Sequence, residues 1–167
     1  RTTDVPEAER FDYFRSAISE VYLGICTEWQ GAGPFDATFD AHTFDGATLA
    51  RMRAPGHVGR RADTLIRRRP DEAIYLNLGV GKPHRTDHLG RAWALAPGIP
   101  MILDSEAPFL VDFADRGRFD LVSLRIEKSG GFAPHRRDVL RANERMRTTP
   151  EGAALAAFVV LMLAAPP

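Results

Sequence analysis

Cysteine is almost absent. The single thiol, Cys26, excludes an internal disulfide framework and any zinc site built on several cysteines. Net charge is absent as well, because 22 basic residues balance 22 acidic ones. A chain without excess positive charge does not hold nucleic acid chiefly through its own electrostatics. Lysine is scarce: only Lys82 and Lys128 occur, so the basic side is nearly all arginine. No apolar run is long enough for a bilayer. The most apolar stretch, residues 152–165, has 14 positions where about 20 are needed. No charged-then-apolar export signal opens the chain, which together with the lone thiol fits a cytoplasmic protein. Catalytic motifs are missing too. Ser123 and Ser129 have no Gly-x-Ser-x-Gly context, and Cys26 has no base or helix start beside it to make it reactive.

What is present is a run of short strands. Residues 73–80, 91–96, 101–104, 108–113 and 119–126 are apolar or alternating. Each is bounded by turn chemistry: Gly79 and Gly81-Lys-Pro, Leu89-Gly90, Pro97-Gly98, Pro100, Ser105 to Pro108, and Asp115-Arg-Gly117. Strands arriving every 8–12 residues with Gly/Pro punctuation predict a small barrel or sandwich rather than βαβ units. At 167 residues with 44% apolar content, the chain suits one domain with a sizeable core. Neither Arg1-Thr-Thr nor the closing Ala-Ala-Pro-Pro is read as a natural end, so a longer protein is expected.

Other elements flank this core. Asp4-Val-Pro-Glu7 reads as a helix start, and Phe11, Phe14, Ile18 and Val21 recur at helical spacing, predicting a helix over 6–22. Residues 35–44 and 47–54 form a hairpin through Asp45-Gly46. A short strand over 57–61 and a helical turn over 63–69 follow. Residues 134–146 read as a polar helix whose inward positions are Val139, Leu140, Asn143 and Met146. Thr149-Pro150 then starts a second helix, with Leu155, Phe158, Val159, Met162 and Leu163 on one face and Val160, Leu161 and Ala164 on the other. A helix apolar on all sides needs two partners, here the domain's own body and a second subunit.

The order of these features resembles one family. It runs from Arg10-Phe-Asp-Tyr-Phe-Arg-Ser-Ala-Ile-Ser-Glu through a Phe-x-Ala-x-Phe hairpin, Arg60-Arg and Ala73-Ile-Tyr-Leu-Asn-Leu-Gly-Val. Leu95-Ala-Pro-Gly-Ile-Pro-Met-Ile-Leu-Asp-Ser, Pro108-Phe and Phe119-Asp-Leu-Val-Ser-Leu-Arg-Ile complete it. Over residues 9–165 the chain resembles the N-terminal, cupin-like ligand-binding and dimerisation domain of AraC-type (AraC/XylS) transcription regulators. The resemblance implies a mainly β fold: a cupin-like β-barrel with an N-terminal helix and a C-terminal antiparallel helix pair. It implies a sensory barrel over 1–131 and a dimerisation segment over 132–167. It also implies a small-molecule effector, a homodimer through the last helix, and DNA contact only through a helix-turn-helix domain outside this chain. No catalytic residue, metal or cofactor is expected.

The site is then sought by alternation. In residues 73–80, Ile74, Leu76 and Leu78 share one face and Tyr75 and Asn77 the other. Tyr75 and Asn77 are effector contacts if that face is inward and a wet surface if it is outward; one strand leaves both open. Trp93 is either an aromatic wall or core filler, and Met52, His57 and His42 are further candidates. The dimer is assigned to Leu155, Phe158, Val159, Met162 and Leu163. The alternative is a stand-alone cupin-like metal enzyme. His84 and His88 would be its obvious ligands, but they read as solvated residues of a hairpin connection, and no third ligand follows Pro97-Gly98. The arginines at 136, 137, 141, 145 and 147 are interleaved with Asp138 and Glu144 and read as a solvated helix face.

Overall fold

A computed structural model describes residues 1–22, 24–114, 117–128 and 134–164, the last of these with side chains to Met162. Among the described residues, ten strands and four α-helices are arranged as two five-stranded antiparallel sheets with flanking helices. The strands are β1 (Cys26–Glu28), β2 (Thr38–Phe44), β3 (Ala47–Pro55), β4 (Val58–Arg61), β5 (Ala73–Gly79), β6 (His84–His88), β7 (Arg91–Leu95), β8 (Pro100–Asp104), β9 (Phe109–Asp112) and β10 (Arg118–Glu127). The helices are α1 (Arg10–Val21), α2 (Asp63–Arg68), α3 (Arg136–Thr148) and α4 (Pro150–Ala164). One sheet has the order β1-β4-β9-β6-β7 and the other β2-β3-β10-β5-β8. Their facing sides bury one mixed core, the arrangement of a double-sheet barrel. Among the described residues no helix is long and apolar enough to cross a membrane.

Turn chemistry places the strands as expected. Asp45-Gly46 closes the β2–β3 hairpin, Phe44 facing Ala47, with Gly46 at φ +70°. Leu89 and Gly90 both adopt positive φ, 53° and 74°, the geometry that joins right-twisted strands with a two-residue turn. Three details differ from the sequence reading. Asp4 pairs with the amino group of Arg1 instead of capping a helix, and residues 7–9 form a 3₁₀ turn, so α1 begins only at Arg10. Residues 26–28, to which the sequence reading assigns no element, form β1 at a sheet edge, and the Cys26 thiol is exposed. The His84–His88 segment, expected to be a solvated connection, is strand β6 with both imidazoles buried. Its polar residues hid a strand whose inward side is His84, Thr86 and His88.

The outer face of the second sheet is covered by α3 and α4. Asn143 docks α3 on the edge strand β8. Its Oδ1 accepts the Ile102 N–H at 2.7 Å and its Nδ2 donates to the Ile102 carbonyl at 2.9 Å, as a neighbouring strand would do. At the α3–α4 corner, a Cβ on Gly152 would lie 2.2 Å from the Met146 carbonyl oxygen, so only glycine permits that approach. The expected division near 131–132 lies outside the described residues.

Candidate functional site

The hollow between the sheets is the candidate. Its cavity measures about 50 Å³ and draws its wall from both sheets and from α1. β5 contributes Tyr75 and Asn77, β10 contributes Phe119, Leu121 and Ser123, and β3 contributes Met52. From the facing sheet come Thr27, Gly59, Phe109 and Val111, with His57 and Phe113 at strand ends. Ile18 and Tyr22 of the α1 region, with Ile25, close the remaining side. Each strand inserts alternate residues, as a period of two requires. Ile74, Leu76 and Leu78 therefore point the other way, and β5 is buried on both sides.

Polar atoms in and behind this wall fall into two groups. One group is hydrogen-bonded within itself, apart from the buried Nε of Arg125. Asn77 and Ser123 face each other across the β5–β10 ladder, and the Ser123 hydroxyl donates to Asn77 Oδ1 at 2.6 Å. The Tyr75 hydroxyl bonds the Asp71 carboxylate, which also accepts from Arg125 Nη2 at 2.6 Å. Burial raises the Tyr75 phenol far above its ordinary range and the Asp71 charge adds to this. Burial opposes the Arg125 charge, but the hydrogen bonds it donates to Asp71 and Glu127 outweigh this, so the guanidinium stays charged. Arg61, fully buried, donates Nε to the Ser105 carbonyl at 2.7 Å and Nη2 to the Arg69 carbonyl at 2.9 Å.

The other group is unsatisfied. The hydroxyls of Thr27 and Tyr22 are buried without a hydrogen-bond partner, although Ser123 approaches Tyr22 closely enough to offset slightly the rise that burial gives its phenol. His57 donates Nδ1–H to the Pro55 carbonyl at 3.1 Å, which leaves Nε2 as a bare acceptor. Burial lowers the His57 pKa to about 4, against a smaller opposite push from that carbonyl, so the ring is neutral near pH 7. A buried polar group without a partner costs roughly 1–3 kcal/mol. Such groups in the wall of a hollow are what a guest would satisfy.

Of the five sequence candidates, Tyr75, Asn77, Met52 and His57 meet in this wall. Trp93 does not. It is core filler on β7, its outer ring face covered by the guanidinium groups of Arg91 at 4.3 Å and Arg147 at 5.6 Å. His42 is exposed on β2. Sequence reasoning missed Tyr22, Thr27, Gly59 and Ser123. The alternation Phe119-Leu121-Ser123 carried a signal for Ser123, whereas Tyr22 and Gly59 carried none. His84 packs on Phe113 at 4.9 Å between ring centres with neither ring nitrogen bonded, and burial lowers its pKa to about 4. His88 donates Nδ1–H to the Pro108 carbonyl at 3.1 Å and accepts the Asp104 N–H on Nε2 at 3.0 Å. Among the described residues no three metal-ligating side chains converge.

The dimer assignment needs revision. Val159 is 1% exposed, packed with Leu49, Leu76, Leu78, Val122 and Ala156, and Leu155 and Met162 lie partly buried against the same cluster. These three residues dock α4 on its own sheet. Phe158 keeps 58% exposure, and Val160 and Leu161 on the opposite arc keep 42% and 66%. The Leu163 side chain lies outside the described residues. Since α4 is apolar all round, its periodicity did not say which arc the sheet would take.

The sequence profile of the AraC-binding-like domain matches residues 14–167. Among solved structures, the AraC-like transcriptional activator CuxR shares 16% identity at a TM-score of 0.63 over 74% of this chain. The chain spans 44% of the length of that activator. A predicted oxalate decarboxylase from Thermotoga maritima (12% identity, TM-score 0.44, 55% of this chain and 80% of that one) is a more distant likeness. So is a cupin superfamily protein from Desulfitobacterium hafniense (12%, 0.45, 59% and 84%). No curated protein sequence matches the chain.

Proposed function

Because this chain belongs to the AraC-binding-like domain family, we propose that it is the effector-sensing and dimerisation part of an AraC-type transcription regulator. A small molecule binds between the two sheets and alters how the helix pair presents an attached helix-turn-helix domain, through which alone the protein meets DNA. The ligand acts by binding one arrangement more tightly than the other. No chemistry on the ligand is required, so the reading is a cytoplasmic regulator rather than an enzyme. The observation that supports it is the hollow between the sheets, with the unpartnered hydroxyls of Thr27 and Tyr22 and the neutral His57 ring in its wall. A thermal-shift screen of metabolites against the chain tests it. A ligand present at a hundred times its Kd stabilises the fold by about 2.7 kcal/mol. A chain that no metabolite stabilises would contradict the sensor role, and stoichiometric iron, manganese or zinc in the purified protein would favour the metal-enzyme alternative.

Dimerisation is assigned to the outer arc of α4, carried by Phe158, Val160 and Leu161. An apolar strip of this kind on a soluble domain marks an interaction surface. The double substitution Phe158→Glu with Leu161→Glu is expected to give a folded monomer by light scattering, whereas Val159→Glu is expected to unfold the helix from its sheet. A double variant that stays dimeric would remove the assignment.

A further inference from the structure

Among the described residues, the wall of the hollow contains no Asp, Glu, Lys or Arg. The nearest ion pair, Asp71 with Arg125, is closed on itself at 2.6 Å and capped by the Tyr75 hydroxyl. Among the described residues that line the hollow there is neither a cation nor a carboxylate, although Arg125 Nε, behind the wall, is buried without a partner. The unspent groups are instead two hydroxyls, Thr27 and Tyr22, and one neutral acceptor, His57 Nε2. A single guest hydroxyl complements such a set, donating to the imidazole and accepting from a protein hydroxyl. Around these groups the wall is aromatic and aliphatic, with Phe113 stacked on Phe119 at 4.2 Å and His57 edge-on to Phe119 at 4.9 Å. A sugar, with a hydroxyl on nearly every carbon, would leave most of them unpaired there.

Size narrows the choice. A cavity of about 50 Å³ is well below the roughly 150 Å³ that holds benzene in an engineered protein core. One wall is held by side-chain packing instead of a strand ladder. The strands are tied by continuous ladders, whereas the α1 region meets the hollow through Ile18 and Tyr22 and a hydrogen bond from the Tyr75 hydroxyl to the Tyr22 carbonyl at 3.2 Å. Gly59 adds a recess: a Cβ placed there would meet only Ile25 Cγ2, at 3.7 Å.

We propose that the barrel takes a small uncharged hydroxyl compound with an apolar body, of the size of phenol or benzyl alcohol, in preference to an anion, a cation or a sugar. This rests on the sensor reading above. The experiment titrates the chain with phenol, benzyl alcohol, benzoate, benzylamine and glucose by calorimetry and thermal shift, alongside Gly59→Val and Thr27→Val. Phenol or benzyl alcohol is expected to bind saturably and raise Tm, with the charged probes and glucose at least tenfold weaker. Thr27→Val should weaken hydroxyl binding about fivefold, the loss of one hydrogen bond. Gly59→Val should fill the recess, keep the fold by circular dichroism and abolish binding; if it does not fold, Gly59→Ala carries the same test with a partial loss. Tighter binding of benzoate, benzylamine or glucose, abolished by Gly59→Val, overturns the ligand class and leaves the sensor reading standing. Hydroxyl binding that survives the filled recess places the site elsewhere and overturns both. Binding of none of the five overturns the class alone, the wider metabolite screen deciding the sensor role.

Discussion

The central strand β5 is buried on both sides, and the two faces of its sheet are built from different chemistry. Toward α4 the contacts are aliphatic: Leu49, Leu76, Leu78 and Val122 against Ala156 and Val159. Toward the barrel interior the same strands present Met52, Tyr75, Asn77, Leu121 and Ser123 to a cavity. The unpartnered hydroxyls of Thr27 and Tyr22 and the neutral His57 face that cavity from the opposite sheet and α1. A face whose task is only to hold two layers together has no reason to carry unpaired polar groups, which cost stability. A face meant to receive a guest does, because the guest restores what the empty state lacks. Stability and recognition are thus divided between the two sides of strands β5 and β10.

The sharpest way to separate the two sides is acid, because the buried histidines belong to the interior. The pKa values of His57 and His84 are lowered to about 4 by burial, from an unfolded value near 6.5. Their stabilising contribution is therefore fully present above about pH 6.5 and is lost as pH falls toward 4, on the order of 3 kcal/mol for each. Urea unfolding followed from pH 7 to 4 should show a steep loss, and His84→Phe should flatten it. A midpoint that does not move over that range would mean that water already reaches both rings. Next in size is the aliphatic side: Leu78→Ala should cost roughly 2–5 kcal/mol by thermal or urea unfolding without changing the acid dependence. Smallest is Thr27→Val on the interior side, expected within about 1 kcal/mol of wild type and on the stabilising side, since it removes an unpaired hydroxyl at nearly constant shape. A large destabilisation there would show that the hydroxyl is satisfied and would erase the contrast.

Much of this was readable from the chain because it is local. Asp45-Gly46 and Leu89-Gly90 mark their hairpins through backbone conformations that few residues accept, and the alternation of residues 119–126 marks a strand. β6 was obscured for a related reason: His84, Thr86 and His88 are polar residues whose burial depends on partners far away in sequence, such as Phe113 and Pro108. Trp93 illustrates the same gap. Alternation put it on a strand, but only the tertiary structure left it in the core beside the cavity, with Arg91 and Arg147 over its ring.

By itself the sequence determined a β-rich domain, its hairpins, its flanking helices and the pairing of Tyr75 with Asn77 on one strand face. Turn geometry and residue period are decided within a few neighbouring peptides. Only the tertiary structure decided that this face looks inward, that Thr27, Tyr22 and Gly59 join it, and that Val159 rather than Leu161 lies beneath α4. A strand buried on both sides and a helix apolar all round carry no phase of their own. Their orientation comes from which distant surfaces pack against them.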